Sequence, residues 1–434
     1  MDLPVVADVV GIGFGPANVA LAIAIEELCP DLRPVFLERH QRPCWQPGML
    51  LDGSDIQHNP ARDLATPRNP RSRYTFLNYL FEEGRLFEFL NLGIPYPLRK
   101  DYAHYVVWAA EQFADQVRYG TVAERVEPAD VGGRQGVAVR LRGGRTVLGQ
   151  AAVVAPGRAP NLPPAFRGVS DPRVFHFTDY LDRIDELAAL ARPRLAVVGG
   201  SQSAVELVLD ASRRLPHGTV TNVLRGFGYR QKDLSPFTNE VYFPGFVDYY
   251  YEASEASRRD LDRQLHFTNY SAADMDVIQA LYVQLYEGRL DGDERVRLIR
   301  NADVVRCRPE PDAVRLDLVE RHRATTCEIE ADGVVLATGF LDLTVEHGPQ
   351  FLPDLLEPVA GLVSRTQAGH AAVGRDYRLL AADEAALPPV YLNGLCETSH
   401  GMGDAGSFSL LSLRAATIAE SLLKALAKEP ERRP

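Results

Sequence analysis

Cysteine, long apolar runs and positive charge are all scarce in this 434-residue chain. The five cysteines, Cys29, Cys44, Cys307, Cys327 and Cys396, are odd in number and scattered, without a Cys-x-x-Cys pair. Neither a disulfide framework nor a dithiol redox centre is therefore expected. The ten histidines include no His-x-x-x-His pair, and no metal site is expected. Near the N-terminus the longest apolar stretch, Val19 to Ile25, falls far short of the ~20 residues needed to span a bilayer, and no basic segment with a cleavage site precedes it. A cytoplasmic protein with no membrane partner is the expectation. Lys and Arg number 47 against 58 Asp and Glu, a formal net charge of -11, so nucleic acid is not an expected partner. What is present, 46% hydrophobic and 24% charged residues, is ordinary for a globular chain, and the length points to two or three domains.

The first 40 residues read as strand, glycine-rich turn, helix and strand. Val5 to Val10 is an apolar run, and Gly11-Ile12-Gly13-Phe14-Gly15-Pro16 is the turn. Val19, Ala20, Ile23 and Leu28 then mark a helical face, and Val35 to Glu38 closes the unit. Glycines at such a turn let the backbone approach a pyrophosphate seated on a helix N-terminus, and Glu38 is placed to bond a ribose hydroxyl. Read alone, the glycines also fit a tight turn with no ligand, a reading that the strand, helix and terminal acid around them weaken.

The same grammar recurs. Leu195 to Val198 is followed by Gly199-Gly200-Ser201-Gln202-Ser203-Ala204, an apolar helical face, and a strand from Val220 to Leu224 that ends in Arg225. A cation at the ribose end favours a 2′-phosphate, so the first unit suits FAD and the second NADPH; a solvated strand-end charge is the alternative for Arg225. After each unit come hairpin strands and a crossing. Val137 to Arg140 and Thr146 to Leu148 lead into Ala155-Pro156-Gly157. Val304 to Arg306, Val314 to Leu318 and Cys327 to Ile329 lead into Ala337-Thr338-Gly339. The fold expected is α/β with two Rossmann-like dinucleotide-binding domains, the second inserted in the first, and a small mostly helical substrate region. Residues 1–190 form the first part of the FAD domain. Residues 191–340 form the NADPH domain, with a helical substrate-contacting segment at about 231–290. Residues 341–434 return to the FAD domain and carry a substrate-side C-terminal helix.

A long, ordered set of motifs makes the chain more specific. It runs through Trp45-Gln46-Pro47-Gly48-Met49, Asp55-Ile56-Gln57, Arg62-Asp63-Leu64-Ala65-Thr66-Pro67 and Asn69 to Leu80, then Ser235 to Glu240, Thr268-Asn269-Tyr270-Ser271 and His400-Gly401-Met402-Gly403-Asp404 followed by Leu410 to Arg414. From Asp8 to about Leu423 the chain closely resembles the flavin-dependent N-hydroxylating monooxygenases, the ornithine and lysine side-chain hydroxylases of siderophore pathways. That resemblance implies FAD and NADPH as cofactors, and dioxygen and a small-molecule amine as partners. It also implies hydroxylation of the amine by a flavin C4a-hydroperoxide with no side chain acting as nucleophile. A homo-oligomer, dimer or tetramer, is expected.

The resemblance assigns roles position by position. Gly11, Gly13, Gly15, Pro16, Asn18, Glu38, Trp45, Gln57 and Asp404 fall to FAD, with Gln57 beside the flavin ring. Gly199, Gly200, Ser201, Gln202, Ser203, Arg225 and Asn239 fall to NADPH. Arg62, Gln46, Asn239, Asn269 and Ser409 fall to the substrate, and Gln57 and Asn269 are the residues near the reacting atoms. Gln46 stands where relatives have His, Arg62 where they have Lys, and Ser201 where they have Gly. One extra residue between Asp404 and Arg414 leaves either Ser409 or Phe408 at the substrate position. Arg62 keeps the charge and adds a bidentate fork for a carboxylate; a surface or inter-subunit charge is its alternative. L-Ornithine is the first substrate expected and L-lysine the second, with a diamine or aspartate as alternatives. A silent flavin-binding protein, or a reductase or oxidase without oxygen transfer, is the rival reading. The aromatic stripe from Tyr242 to Tyr251 reads as core and contact surface, and Glu429 to Pro434 as a solvated tail.

Overall fold

A computed structural model describes residues 5–343, 351–382 and 387–427; the tail from Glu429 to Pro434 lies outside them. The first strand, Val5–Ile12, carries Val9 and Val10 fully buried on opposite faces, as a parallel strand covered by helices on both sides requires. It pairs in parallel with Pro34–Leu37 on one side and with Thr146–Val154 on the other. The helix between, Pro16–Leu28, starts with proline at its first position, where no amide hydrogen is needed, and is buried from Asn18 to Ile25. The C-terminal helix, Leu411–Leu426, buries Ala415, Ile418, Ala419 and Leu422 in the same core.

Thr146–Val154 is one long strand with two jobs. Its first half pairs with the hairpin strand Gln135–Leu141, which pairs in turn with Ala123–Asp130. Its second half pairs with Val390–Leu392, so the chain returns to the first sheet after the second has been built. The second sheet is all parallel, in the order Val296–Ile299, Thr219–Val223, Arg194–Val198, Gly333–Leu336, Val174–His176. Its last strand comes from before residue 191, where the expected FAD region still runs. Val174–His176 joins the second sheet because it covers the open edge of Gly333–Leu336 and sends Phe175 into the second core. The second coda is an antiparallel meander of Ala302–Pro309, Val314–Glu320 and Thr326–Ala331. Residues 231–290 hold the helices Pro244–Glu252, Glu255–Leu265 and Met275–Asp291.

The two crossings lie side by side. Ala159–Pro160 pairs antiparallel with Phe340–Leu341, and Asn161 and Thr338 exchange hydrogen bonds beside them. Both glycine turns thus open toward one junction between the sheets. Among the described residues no helix is long and apolar enough to cross a membrane.

Candidate functional site

At the first turn the three glycines serve different ends. Gly13 has φ +83°, and a Cβ there would lie 2.3 Å from the Ala155 carbonyl oxygen. A glycine is thus required here by the protein's own crossing strand, apart from the approach to a pyrophosphate that was expected of it. A Cβ on Gly11 would strike the Phe36 ring at 2.2 Å, whereas a Cβ on Gly15 would meet nothing within 4 Å. Gly15, at the start of the buried helix, is therefore the glycine with open space before it, and that cradle suits a phosphate. Glu38 is buried at the end of Pro34–Leu37; its two oxygens accept from the amides of Phe14 (2.7 Å) and His40 (2.8 Å), leaving further lone pairs for a ribose hydroxyl.

Asn18 and Asp404, both expected among the FAD contacts, are turned inward here. The Asn18 amide donates to Gly13 O at 2.7 Å and accepts from Asn393 Nδ2 at 3.1 Å. Asn393 accepts from Arg414 Nε at 2.9 Å, and Arg414 pairs with the Asp404 carboxylate at 3.3 Å, both side chains being 1% exposed. Tyr377 completes the chain by donating to Asp404 at 3.1 Å. This buried network ties the first turn to the C-terminal helix. Breaking such a pair would leave an uncompensated buried charge. Asn393, Arg414 and Tyr377 belong to it although sequence reading gave them no role.

The second turn repeats the device. Gly199 has φ +151°, and its Cβ would lie 2.3 Å from the Ala337 carbonyl oxygen. Asn222, fully buried, donates to Gly199 O at 3.0 Å and Val197 O at 2.9 Å, the counterpart of Asn18. Gly200 has only Leu224 near its Cβ position, at 3.3 Å. Ser201 begins the helix Gln202–Arg214 without capping it, so its hydroxyl and that of Ser203 stay free of partners among the described residues. Gln202 departs from expectation: its backbone amide donates to Ala272 O (3.0 Å), while its side chain bridges Glu206 (2.9 Å) and the Asp274 amide (2.7 Å). It fastens the helix to segment 272–274. Arg225 is exposed with no side-chain partner among the described residues, and Arg321, itself paired with Asp303 at 2.9 Å, donates to its carbonyl at 3.4 Å.

Arg62, Ser409 and Asn269, all expected at the substrate, lie in one polar cluster. Arg62 stands in a loop held rigid by Asp63, whose buried carboxylate accepts from the amides of Ala65, Thr66 and Phe76. The Arg62 guanidinium donates to Ser409 Oγ at 3.3 Å and lies over the Tyr242 ring, 5.5 Å from its centroid. Tyr242 donates to Asn269 Oδ1 at 3.4 Å. Asn239 shares the short turn Thr238–Tyr242 with Tyr242, three residues apart and so on the same side. Arg62, Ser409, Tyr242 and Asn269 are thus brought together, with Asn239 one turn from Tyr242, and among the described residues no carboxylate pairs with Arg62. Phe408 packs instead with Trp45, His58 and Tyr102, at centroid distances of 5.2, 5.5 and 5.0 Å. Gln46, in the left-handed region at φ 45°, is exposed and bonds none of these residues.

Gln57 is also at positive φ (59°), with its backbone amide donating to Asp55 Oδ1 at 2.9 Å. Arg99 sets this loop from below: it pairs with Glu206 at 2.9 Å across the junction and donates to the carbonyls of Met49 and Asp55. The Nε2 groups of Gln57 and His58 are buried without a partner. Burial pushes the His58 imidazole down to about 4, so it stays neutral, and pushes the Asp55 carboxyl up to about 6. Lys232, absent from the sequence reading, lies 3.5 Å from Gln57 Oε1, and burial lowers its ammonium from the usual range.

Comparisons with known proteins agree with this architecture. The family model described as L-lysine 6-monooxygenase/L-ornithine 5-monooxygenase matches residues 5–342. An L-ornithine N(5)-monooxygenase of Burkholderia cepacia is 37% identical, over 92% of this chain and 91% of its own. Among solved structures, an ornithine hydroxylase from Pseudomonas aeruginosa aligns with TM-score 0.87 at 34% identity, covering 98% of this chain and 100% of that one. The ornithine N-hydroxylase of Kutzneria sp. 744, solved with reduced FAD, NADP+ and L-ornithine, aligns with TM-score 0.90 at 31% identity over 97% and 100%.

Proposed function

The chain belongs to the L-lysine 6-monooxygenase/L-ornithine 5-monooxygenase family, and from that premise we propose that it hydroxylates the side-chain primary amine of a basic amino acid, L-ornithine before L-lysine. The observation that carries the proposal is the free guanidinium of Arg62, held by the neutral Ser409 hydroxyl and flanked by Tyr242 and Asn269. A half-buried cation without a carboxylate partner is matched by an α-carboxylate, and the amine then reaches a fixed distance from it.

The residues present fit both cofactors. Gly15 and Glu38 would hold the pyrophosphate and ribose of FAD, with the unpartnered Gln57 amide near its ring. Ser201, Ser203 and Arg225 would hold NADPH. Bound together, the cofactors supply reducing equivalents and the activation of dioxygen. The chain's own share is orientation and dryness. Trp45 and Phe408, backed by the fully buried Tyr102, set aromatic surface beside the site, which keeps out water and disfavours the charged form of an amine whose ordinary pKa is ~10.5.

The proposal extends to a cytoplasmic homo-oligomer. It is supported by the unpaired cysteines and by the exposed Leu77, Phe81, Phe87 and Leu90 on two adjoining helices. The deciding experiment is an amine panel of ornithine, lysine, aspartate, putrescine and cadaverine, scored by mass for hydroxylamine. NADPH consumption alone is ambiguous because peroxide release also consumes it. Hydroxylated ornithine or lysine supports the reading; product only from aspartate or a diamine, or none from any amine, overturns it.

A further inference from the structure

We propose that Lys232 is a positioning residue that fixes the direction of the Gln57 side-chain amide, presenting its NH2 group into the site as a hydrogen-bond donor for a bound acceptor. The proposal rests on the site reading above, but its first test needs no substrate.

Both residues are anchored by their backbones. Lys232 donates its amide to Ala273 O at 2.8 Å, next to the bridge between Gln231 and Ala273. That segment is fastened to the second nucleotide helix by Gln202. Gln57 is clamped by Asp55, whose own carbonyl accepts from Arg99 at 3.1 Å. The Lys232 ammonium therefore reaches Gln57 from a fixed root on the nucleotide side of the junction.

A primary amide has one accepting and one donating end of nearly equal shape, so its partners decide which way it faces. Lysine has only donors, so the oxygen of Gln57 turns to it, at 3.5 Å. The NH2 end is then directed away, and there it is buried with no partner. Gln57 Nε2 is one of thirteen buried side-chain nitrogen or oxygen atoms without a partner among the described residues, and it is distinguished by the Lys232 ammonium at the other end of the same amide, which leaves its hydrogens to a bound acceptor. Nothing competes for the ammonium at contact distance: Lys232 forms no ion pair among the described residues, although Asp55 and Asp274 act on it through space.

The resemblance places Gln57 beside the flavin ring, where an acceptor atom is the expected partner. An amide rotated by 180° would present its oxygen there and repel that acceptor. Lys232 thus protects the donor orientation during turnover, which only a charge or donor at position 232 can do.

The test uses the full-length protein with glutamine-selective nitrogen labelling, Gln57→Glu identifying the resonances. In the unmutated protein the Gln57 NH2 signals shift when FAD is added to apoprotein. Lys232→Met moves the same signals in the FAD-loaded state and raises the share of NADPH electrons released as peroxide at least fivefold, with the amino-acid KM within threefold. Lys232→Arg, which restores the donor, recovers coupling to within twofold. The proposal is overturned if FAD leaves the wild-type signals unmoved, if Lys232→Met leaves them and the coupling unchanged, or if Lys232→Arg is as uncoupled as Lys232→Met. Because the resonance shift is read without amine, absence of hydroxylated product from every amine would sink the proposed function while leaving the amide result standing.

Discussion

Replacing Arg62 by alanine separates an amino-acid substrate from a diamine, and the structure sets the size of the effect. The guanidinium spends one donor on Ser409 Oγ at 3.3 Å and has no acidic partner among the described residues. Its remaining donors can take a carboxylate in the bidentate manner. A hydrogen bond to a charged group is worth ~1.5–3 kcal/mol, and partial exposure of Arg62 holds the pair to about 2–3 kcal/mol. At ~1.4 kcal/mol per tenfold, Arg62→Ala raises the KM for ornithine by roughly 30- to 160-fold. Peroxide release rises with it, because the amine is no longer held. Arg62→Lys keeps the charge and stays within about tenfold of wild type. Ser409→Ala removes one neutral partner, ~1 kcal/mol or about fivefold in KM. Steady-state kinetics with hydroxylamine detection, beside stopped-flow flavin reduction by NADPH, reads all of these, and the reduction rate should hardly change. The reasoning is refuted if Arg62→Ala leaves KM within threefold, or if the wild type accepts putrescine or cadaverine as readily as ornithine.

Three further outcomes are expected. Gly15→Ala melts like wild type in the flavin-free state but binds FAD at least tenfold more weakly, because its Cβ enters open space. Gly13→Ala loses stability even without flavin, because its Cβ would strike the Ala155 carbonyl oxygen at 2.3 Å; thermal melts of both apoproteins distinguish the two, and equal melting temperatures would reject the distinction. Arg225→Ala cuts the preference for NADPH over NADH by tenfold or more in kcat/KM, and an unchanged ratio places the discrimination elsewhere. For His58 the folded-state pKa, about 4, lies below the ordinary 6.5. The stability that its neutral form supports is therefore complete above pH 6.5 and is lost as pH falls toward 4. His58→Gln should gain stability relative to wild type across that window, by at most about 3 kcal/mol, and parallel denaturation curves at pH 7 and pH 4.5 with no relative gain would contradict it.

The sheets were legible because their signals are local: apolar runs ending in glycine turns, twice over, each followed by a meander and a crossing. Several strands escaped, Val296–Ile299 and Val390–Leu392 among them, and two show why. Ala123–Asp130 is a mostly exposed edge strand containing Glu124, Arg125, Glu127 and Pro128, a composition that reads as a loop. Val174–His176 is three residues long and owes its place to the open edge of Gly333–Leu336, which no local pattern records. In the site, Arg62, Asn269 and Ser409 were legible through motif order, and the structure joins them through Tyr242, a residue the sequence offered only as part of an aromatic stripe.

Sequence names residue types, but function depends on which of their atoms remain unspent. Asn18 and Gln57 carry the same primary amide and were both read as flavin contacts. At Asn18 the amide gives its hydrogens to Gly13 and takes one from Asn393, so it holds the turn and has little left for a ligand. At Gln57 the oxygen faces Lys232 while the buried NH2 group meets nothing. The acids differ less sharply: Asp404 is paired with Arg414 and accepts from Tyr377 through Oδ1, with Oδ2 buried and taking no hydrogen bond, whereas Glu38 retains lone pairs beside the open cradle at Gly15. A partner far away in sequence makes the difference each time, 375 residues off for Asn18 and 175 for Gln57. Only the folded chain can therefore separate the residues that build the site from those that face into it.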